Sequence, residues 1–340
     1  MTLPRRVLPS TFLITRRCAE RKLLLRPDDE LNGAFLYCVL AAAERFDVEV
    51  HGLVALSNHV HWCVTTKKAN LPRFLHLVHM NMARLVNTHR RRRDAVWSSV
   101  EKTSVVPLPD ANSVLEKLVY VAVNPVAAGL VPTPDAWPGL RTLPADVGET
   151  LVADRPGFYF RSAADAAAEL GSDGVGEAQA RRRRHVRGTP VQPPRVELTL
   201  TRPPQFADMT DAEFRALFSA RVDEAVAAHQ AARRAARRAF AGAATILAQD
   251  PESIPGGPSV PEYKLSPTVA TRDPALRRAL LAQNRAFRLA YRTARLAFRA
   301  GDRNVRFPEH TYGPCVFYGA RCFGSPPEHA GAGSRLRPAA

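Results

Sequence analysis

Val54-Ala55-Leu56-Ser57-Asn58-His59-Val60-His61-Trp62-Cys63-Val64 is an apolar, β-branched run that reads as strand on either side of a Ser-Asn turn. Side chains in a strand point to alternate faces. His59 and His61 therefore point the same way, with Val60 on the opposite face. Two imidazoles side by side on a sheet can hold one divalent cation. Taken alone, His-x-His is equally well explained by two histidines that merely share a face, and the sequence around it decides between these readings.

Working outward, residues 8–17 read as a first strand. Pro27 and the acids Asp28, Asp29 and Glu30 open a helix to about Phe46, whose apolar positions Leu31, Phe35, Tyr37, Cys38 and Ala42 keep helical spacing. A strand over 47–56 follows, then the turn and the 59–66 strand. Asn70 is placed to cap a second helix, with Pro72 in its first turn and the run Arg90–Arg93 at its end. Residues 96–108 read as a strand. Asp110 then caps a helix to Ala128, which Gly129 ends. The order β-α-β-β-α-β-α suits an α+β fold: an antiparallel, ferredoxin-like or RRM-like sheet with helices on one face. It puts His59 and His61 on the face that the last helix covers.

That last helix carries Tyr120 and Asn124, four residues apart and so one turn apart on a single helical face. Asn124 can offer a neutral oxygen to a metal, with a phenol beside it. The alternative reading is a half-buried packing tyrosine and an Asn-Pro helix-end signal.

The set Ser57-Asn58-His59-Val60-His61, then Ala69-Asn70-Leu71-Pro72-Arg73-Phe74, then Tyr120 through Asn124-Pro125-Val126-Ala127-Ala128-Gly129-Leu130 resembles the single-tyrosine HUH transposases, in particular the REP-associated tyrosine transposases. The resemblance covers roughly residues 5–141, with weaker similarity through Ser266-Pro267 and Phe307–Tyr312. It implies an HUH nuclease core of the fold above. It also implies that Tyr120 attacks a phosphodiester to leave a 5′-phosphotyrosine and a free 3′-OH. His59, His61 and Asn124 would hold Mg²⁺ or Mn²⁺, Asn124 because family members place Gln or Asn there. The implied substrate is single-stranded DNA folded into imperfect hairpins, and the implied activity is nicking and strand transfer. On this reading Arg5, Arg6, Arg16 and Arg17 are candidates for hairpin contacts and Trp97 for base stacking. Trp62, facing away from the histidines, is expected in the core. Trp97-Ser98-Ser99-Val100 departs from the acidic or Gly-Arg continuation of related sequences.

Two other functions fit the same residues. A non-catalytic binder of hairpin DNA or RNA would keep the fold but need none of His59, His61, Tyr120 or Asn124. A metal-dependent hydrolase with a water nucleophile would need the histidines and not Tyr120.

The 340 residues carry a net charge of +16, which points to a polyanionic partner. Residues 1–150 hold 19 Lys and Arg against 14 Asp and Glu, and the remainder 29 against 18, so the second half is expected to add general DNA affinity. No run of about 18 apolar residues predicts a membrane span, and Met1–Arg6 lacks a signal-peptide core. Cys18, Cys38, Cys63, Cys315 and Cys322 are scattered and odd in number, which reads as a reduced, cytoplasmic protein without a disulfide scaffold.

The expected organisation is a transposase-type domain over 1–145, an Arg-rich and Pro-rich linker over 146–195, and a mainly helical basic region over 196–340. A chain ending near Arg141 is expected to fold alone. In the last region, 196–200 reads as a short strand and 211–247 as a helix with a basic stripe of Arg233, Arg234, Arg237 and Arg238. A final helix runs over 273–300, with Phe287, Tyr291 and Phe298 facing a core. A homodimer is left open.

Overall fold

A computed structural model describes residues 10–100, 102–157, 193–256 and 268–324. The expected contacts from Arg5 and Arg6, and the basic run at 181–185, lie outside the described residues. The first half runs β1 (Ser10–Arg17), α1 (Asp29–Phe46), β2 (Val48–Leu56), β3 (His59–Thr66), α2 (Leu71–His89), β4 (Ser104–Pro107) and α3 (Ala111–Ala127). Local signals explain the boundaries. Asp28 accepts from the Leu31 N–H at the start of α1, and Asp110 and Ser113 form a reciprocal capping box on α3. Gly129, at φ +73°, follows the end of α3 in the left-handed conformation that glycine adopts without strain.

The strands form one sheet in the order β2-β3-β1-β4, antiparallel throughout. β3 lies between β1 and β2, and β1 between β3 and β4, so α1 and α2 are crossovers of a split β-α-β pattern. One expectation is corrected: helices cover both faces, not one. On one side Trp62 packs on Phe74 and His79 of α2, and on the other His61 touches Tyr120 of α3. The reason is the burial of β3, where every residue from Val60 to Thr66 is buried. A strand buried on both sides needs a cover on both. Gly52 lets α3 come close, because a Cβ there would lie 2.9 Å from Leu118 Cδ2. The strand expected over 96–108 shrinks to Ser104–Pro107, with Trp97 making only an isolated bridge to Cys18.

The boundary expected at 145 also does not match the core. β5 (Thr150–Asp154) and β6 (Arg195–Thr199) pair with each other, and Ala153 and Val196 pack on Tyr37 and Leu40 of α1. The helix α4 (Asp211–Ala235) lies along α3, and its buried Phe214, Phe218 and Val222 belong to the same apolar cluster as Leu118 and Val121. Leu200 and Phe206 join that cluster. A chain ending near Arg141 would expose this surface. Phe214→Ala is expected to lower stability by about 3–5 kcal/mol, read as a shift in the urea midpoint.

The helix expected over 211–247 stops at Ala235. Arg237 turns left-handed at φ +51°, and a short helix α5 (Ala243–Leu247) follows. Arg233 folds back to the Ala239 carbonyl and over the Phe240 ring, so it closes the end of α4 and does not extend a stripe.

α6 (Pro274–Arg299), β7 (Arg306–Phe307), α7 (Gly313–Tyr318) and β8 (Arg321–Cys322) form a small separate cluster around Phe307, lined by Tyr291, Ala294 and Phe298. Here the absence of disulfides is corrected: Cys315 and Cys322 are bonded, because α7 and the turn after it bring their Cα atoms to 6.4 Å. Cys18, Cys38 and Cys63 are free and buried. No helix among the described residues is long and apolar enough to cross a membrane.

A buried polar chain ties the later segment to the sheet. Gln205 Nε2 donates to Thr11 Oγ1 (2.9 Å), which lies 2.7 Å from Thr65 Oγ1, itself 2.7 Å from His51 Nε2. His51 Nδ1 donates to the Thr201 carbonyl (2.7 Å). Burial pushes the His51 pKa down to about 4, against the smaller raising effects of the Thr201 carbonyl and Glu49. Below its ordinary value of 6.5 the unfolded chain takes up a proton that the folded one refuses. Stability from this group is thus full above pH 6.5 and lost as pH falls towards 4, on the order of 3 kcal/mol. Urea titrations at pH 7.5 and 4.5 are expected to differ by about this much less in His51→Gln than in the native chain.

Candidate functional site

Register decides which side chains meet. In β1–β3 pairing, Thr15 opposes His61 and Arg17 opposes His59. All four point towards α3, while Arg16, one residue out of phase, points to the other side. Thr15 Oγ1 lies 2.8 Å from His61 Nδ1, which leaves His61 Nε2 turned to the Tyr120 hydroxyl at 3.3 Å. The His59 and His61 rings are 4.8 Å apart, edge to face, and His61 and Tyr120 5.0 Å apart.

Asn58 orients the second histidine. Its Nδ2 donates to the Arg21 carbonyl, which turns its Oδ1 to His59 Nδ1 at 2.6 Å. An amide oxygen only accepts, so His59 Nδ1 carries the proton and Nε2 keeps its lone pair. The Asn124 side chain hydrogen-bonds His59 from α3. All four residues singled out in the sequence are thus in direct succession, Tyr120 to His61 and His59 to Asn124, with the two histidines in ring contact.

The electrostatics favour neutral imidazoles. Burial, and then the Arg17 guanidinium, push the His59 pKa down to about 4; the Asn124 hydrogen bond opposes this. Burial first, then His59 and Arg17, hold His61 well below its ordinary range. Neutral, adjacent rings whose Nδ1 atoms are engaged by Thr15 and Asn58 are a donor set that fits a divalent cation, since an outer hydrogen bond fixes tautomer and ring orientation in metal-bound histidine. The set is two imidazoles and an amide: among the described residues no group of three or more His, Cys, Asp or Glu gathers. His61 is 3% and Asn124 7% exposed, whereas Tyr120 is 40% exposed. The phenol is the exposed member of this set, and Lys117, one turn back, lies 5.8 Å from its ring.

Arg16 and Trp97 are not part of this cluster. Arg16 lies over the Trp97 ring at 6.0 Å and bonds Thr103, and Trp97 Nε1 donates to the His79 carbonyl (2.7 Å), with its ring 5.4 Å from His79. These residues form a ladder with Trp62 on the α2 side of the sheet. Trp62 is 2% exposed, as its strand phase requires. Thr15 was missed by sequence reading, because nothing short of strand register couples it to His61. Lys117 carried a signal, its i−3 spacing from Tyr120.

No family model matches the chain, and no curated protein matches it in sequence. Among solved structures, one similar to this chain is a REP-associated tyrosine transposase bound to a REP hairpin, at 18% identity and a TM-score of 0.36, over 43% of this chain and 85% of the other. Another is a transposase candidate of Deinococcus radiodurans R1, at 15% identity and a TM-score of 0.26, over 34% of this chain and 93% of the other. At these values the likenesses carry no conclusion about the family or activity of this chain, and the functional reading stands on the site's own chemistry.

Proposed function

We propose that the protein is a transposase-type nickase and strand-transferase for single-stranded, hairpin-forming DNA, with Tyr120 as nucleophile. The observation that carries this reading is the accessible Tyr120 hydroxyl, 3.3 Å from Nε2 of a buried histidine whose ring meets that of a second. A packing tyrosine has no need of two neutral, individually oriented imidazoles beneath it.

In the reaction, Tyr120 Oη attacks phosphorus, the bond from phosphorus to the 3′ oxygen breaks, and the 3′ oxygen leaves as a hydroxyl after taking a proton. The 5′ phosphate stays esterified to Tyr120. Because a phosphodiester is exchanged for a phosphodiester, the 3′-OH of another end can reverse the step and join strands without ATP. Arg17, beside both histidines, would hold the scissile phosphate. His59, His61 and Asn124 would hold Mg²⁺ or Mn²⁺, and a bound ion supplies polarisation of the phosphate and screening of its charge. Imidazole ligands favour Mn²⁺ over Mg²⁺.

The test is denaturing electrophoresis of 5′- and 3′-labelled hairpin DNA with Mn²⁺. A 3′-labelled fragment joined to the protein through its 5′ phosphate, with the 5′-labelled fragment released free, supports the proposal. Binding without any cleavage favours the non-catalytic hairpin binder, and cleavage without an adduct favours a hydrolase that uses water.

A further inference from the structure

The most one-sided surface in the described chain lies outside this cluster, on α6. Between Pro274 and Arg299 there are seven arginines and no Asp or Glu. Six of them, Arg278, Arg285, Arg288, Arg292, Arg295 and Arg299, follow at steps of seven, three, four, three and four. Such steps keep side chains on one face of a helix. All are exposed except Arg295, which is partly so. Among the described residues none of these six guanidinium groups is paired with a carboxylate. The opposite face is apolar and used: Phe287 and Ala294 are buried, and Tyr291 and Phe298 pack at 5.5 and 5.7 Å from Phe307. The cluster around Phe307 therefore fixes which way the arginines point.

We infer that the arginine row of α6 is a docking surface for the phosphate backbone of double-stranded DNA. From Arg278 to Arg299 the row runs roughly 32 Å at about 1.5 Å per residue, close to the ~34 Å of one duplex turn. A single strand without fixed shape is usually held by aromatic platforms, and the aromatic side chains of α6 face inward. An anionic membrane would need a broad apolar face beside the charges, yet the apolar face of α6 is occupied and of its own large apolar side chains only Leu289 and Leu296 stand exposed, with Phe317, Tyr318 and Phe323 exposed on α7 and the segment after it. Contacts of this kind read charge and not sequence. In the proposed nickase they would seat the stem or the flanking duplex while Tyr120 works on the unpaired strand. The inference takes its choice of polyanion from the DNA reading above, but not the chemistry.

The test uses the full chain with Arg285, Arg288, Arg292 and Arg299 replaced by Gln, a change at exposed positions that keeps helix propensity. Binding of a generic 20-bp duplex is followed by fluorescence anisotropy over a salt series. Each lost phosphate contact flattens the slope of log K against log salt by about 0.9, so loss of all four contacts is expected to lower it by about 3.6. A control with Arg221, Arg234, Arg237 and Arg238 replaced by Gln removes the same charge from the α4 region and is expected to change the slope by less than about 1. An equal fall in both variants, or no fall in the first, overturns the inference. So does binding to phosphatidylglycerol vesicles that is lost in the α6 variant while the duplex slope stays put. The Tyr120 adduct on saturating hairpin DNA should persist in the α6 variant. Absence of that adduct in the native chain would sink the nickase reading and leave this surface standing.

Discussion

Tyr120→Phe is expected to abolish the covalent protein–DNA adduct and to cut nicking of hairpin DNA by a factor of at least about a thousand, on the scale seen when a nucleophile is removed. The change deletes one oxygen and keeps the ring. That ring is 40% exposed and touches His61 by its edge, so folding should barely respond. The one interaction lost inside the protein is the 3.3 Å contact to His61 Nε2, which is replaceable by water at an open surface. Hairpin binding should therefore be preserved, and the loss should be confined to chemistry. Peptide mass spectrometry of the native reaction should place the nucleotide on the segment containing Tyr120. An adduct on Tyr37 would contradict the site, since that side chain is buried on α1 with its hydroxyl donated to the Pro193 carbonyl. Nicking that survives in Tyr120→Phe would instead point to water as the nucleophile.

His59→Ala and His61→Ala are expected to remove metal-dependent cleavage while leaving hairpin affinity nearly unchanged, because affinity for DNA comes mostly from phosphate contacts made elsewhere. The two substitutions do different things to the site. Loss of His61 removes the partner of Tyr120 and leaves Thr15 Oγ1 without its 2.8 Å bond. Loss of His59 frees Asn58 and Asn124, its two amide partners. If both act through one bound ion, the double variant should cleave no worse than either single variant. Manganese titrations followed by calorimetry give a second readout: the native chain should bind one ion and the double variant none. Full cleavage by the double variant, or unchanged ion binding, would remove the metal from the proposal and leave the histidines as a buried polar pair.

Much of the site was readable without coordinates because its spacing is local. The two-residue period of a strand puts His59 and His61 on one face, and the four-residue spacing on α3 puts Asn124 one turn from Tyr120. Caps told where helices begin, since Asp28 and Asp110 satisfy amides that the chain itself leaves open. What failed was non-local. That β3 is covered on both faces depends on α2 packing on one side of the sheet and α3 on the other, and the apolar run of β3 was the local trace of it. The boundary expected at 145 failed for the same reason: Phe214 and Phe218 sit on an ordinary amphipathic helix, and no local pattern says which surface will receive them. The bond between Cys315 and Cys322 likewise depends on a turn bringing two distant side chains together.

The sequence by itself determined which residue types were available for chemistry and which neighbours along the chain share a face, because those follow from the periods of strand and helix. The tertiary structure decided which faces meet. It set the register that puts Thr15 against His61 and Arg17 against His59, sent Arg16 and Trp97 to the opposite side of the sheet, and buried the apolar face of α6 so that its arginines look outward. Register and docking are chosen by the packing of the whole core, where a shift of one residue would turn every side chain of a strand to the other face.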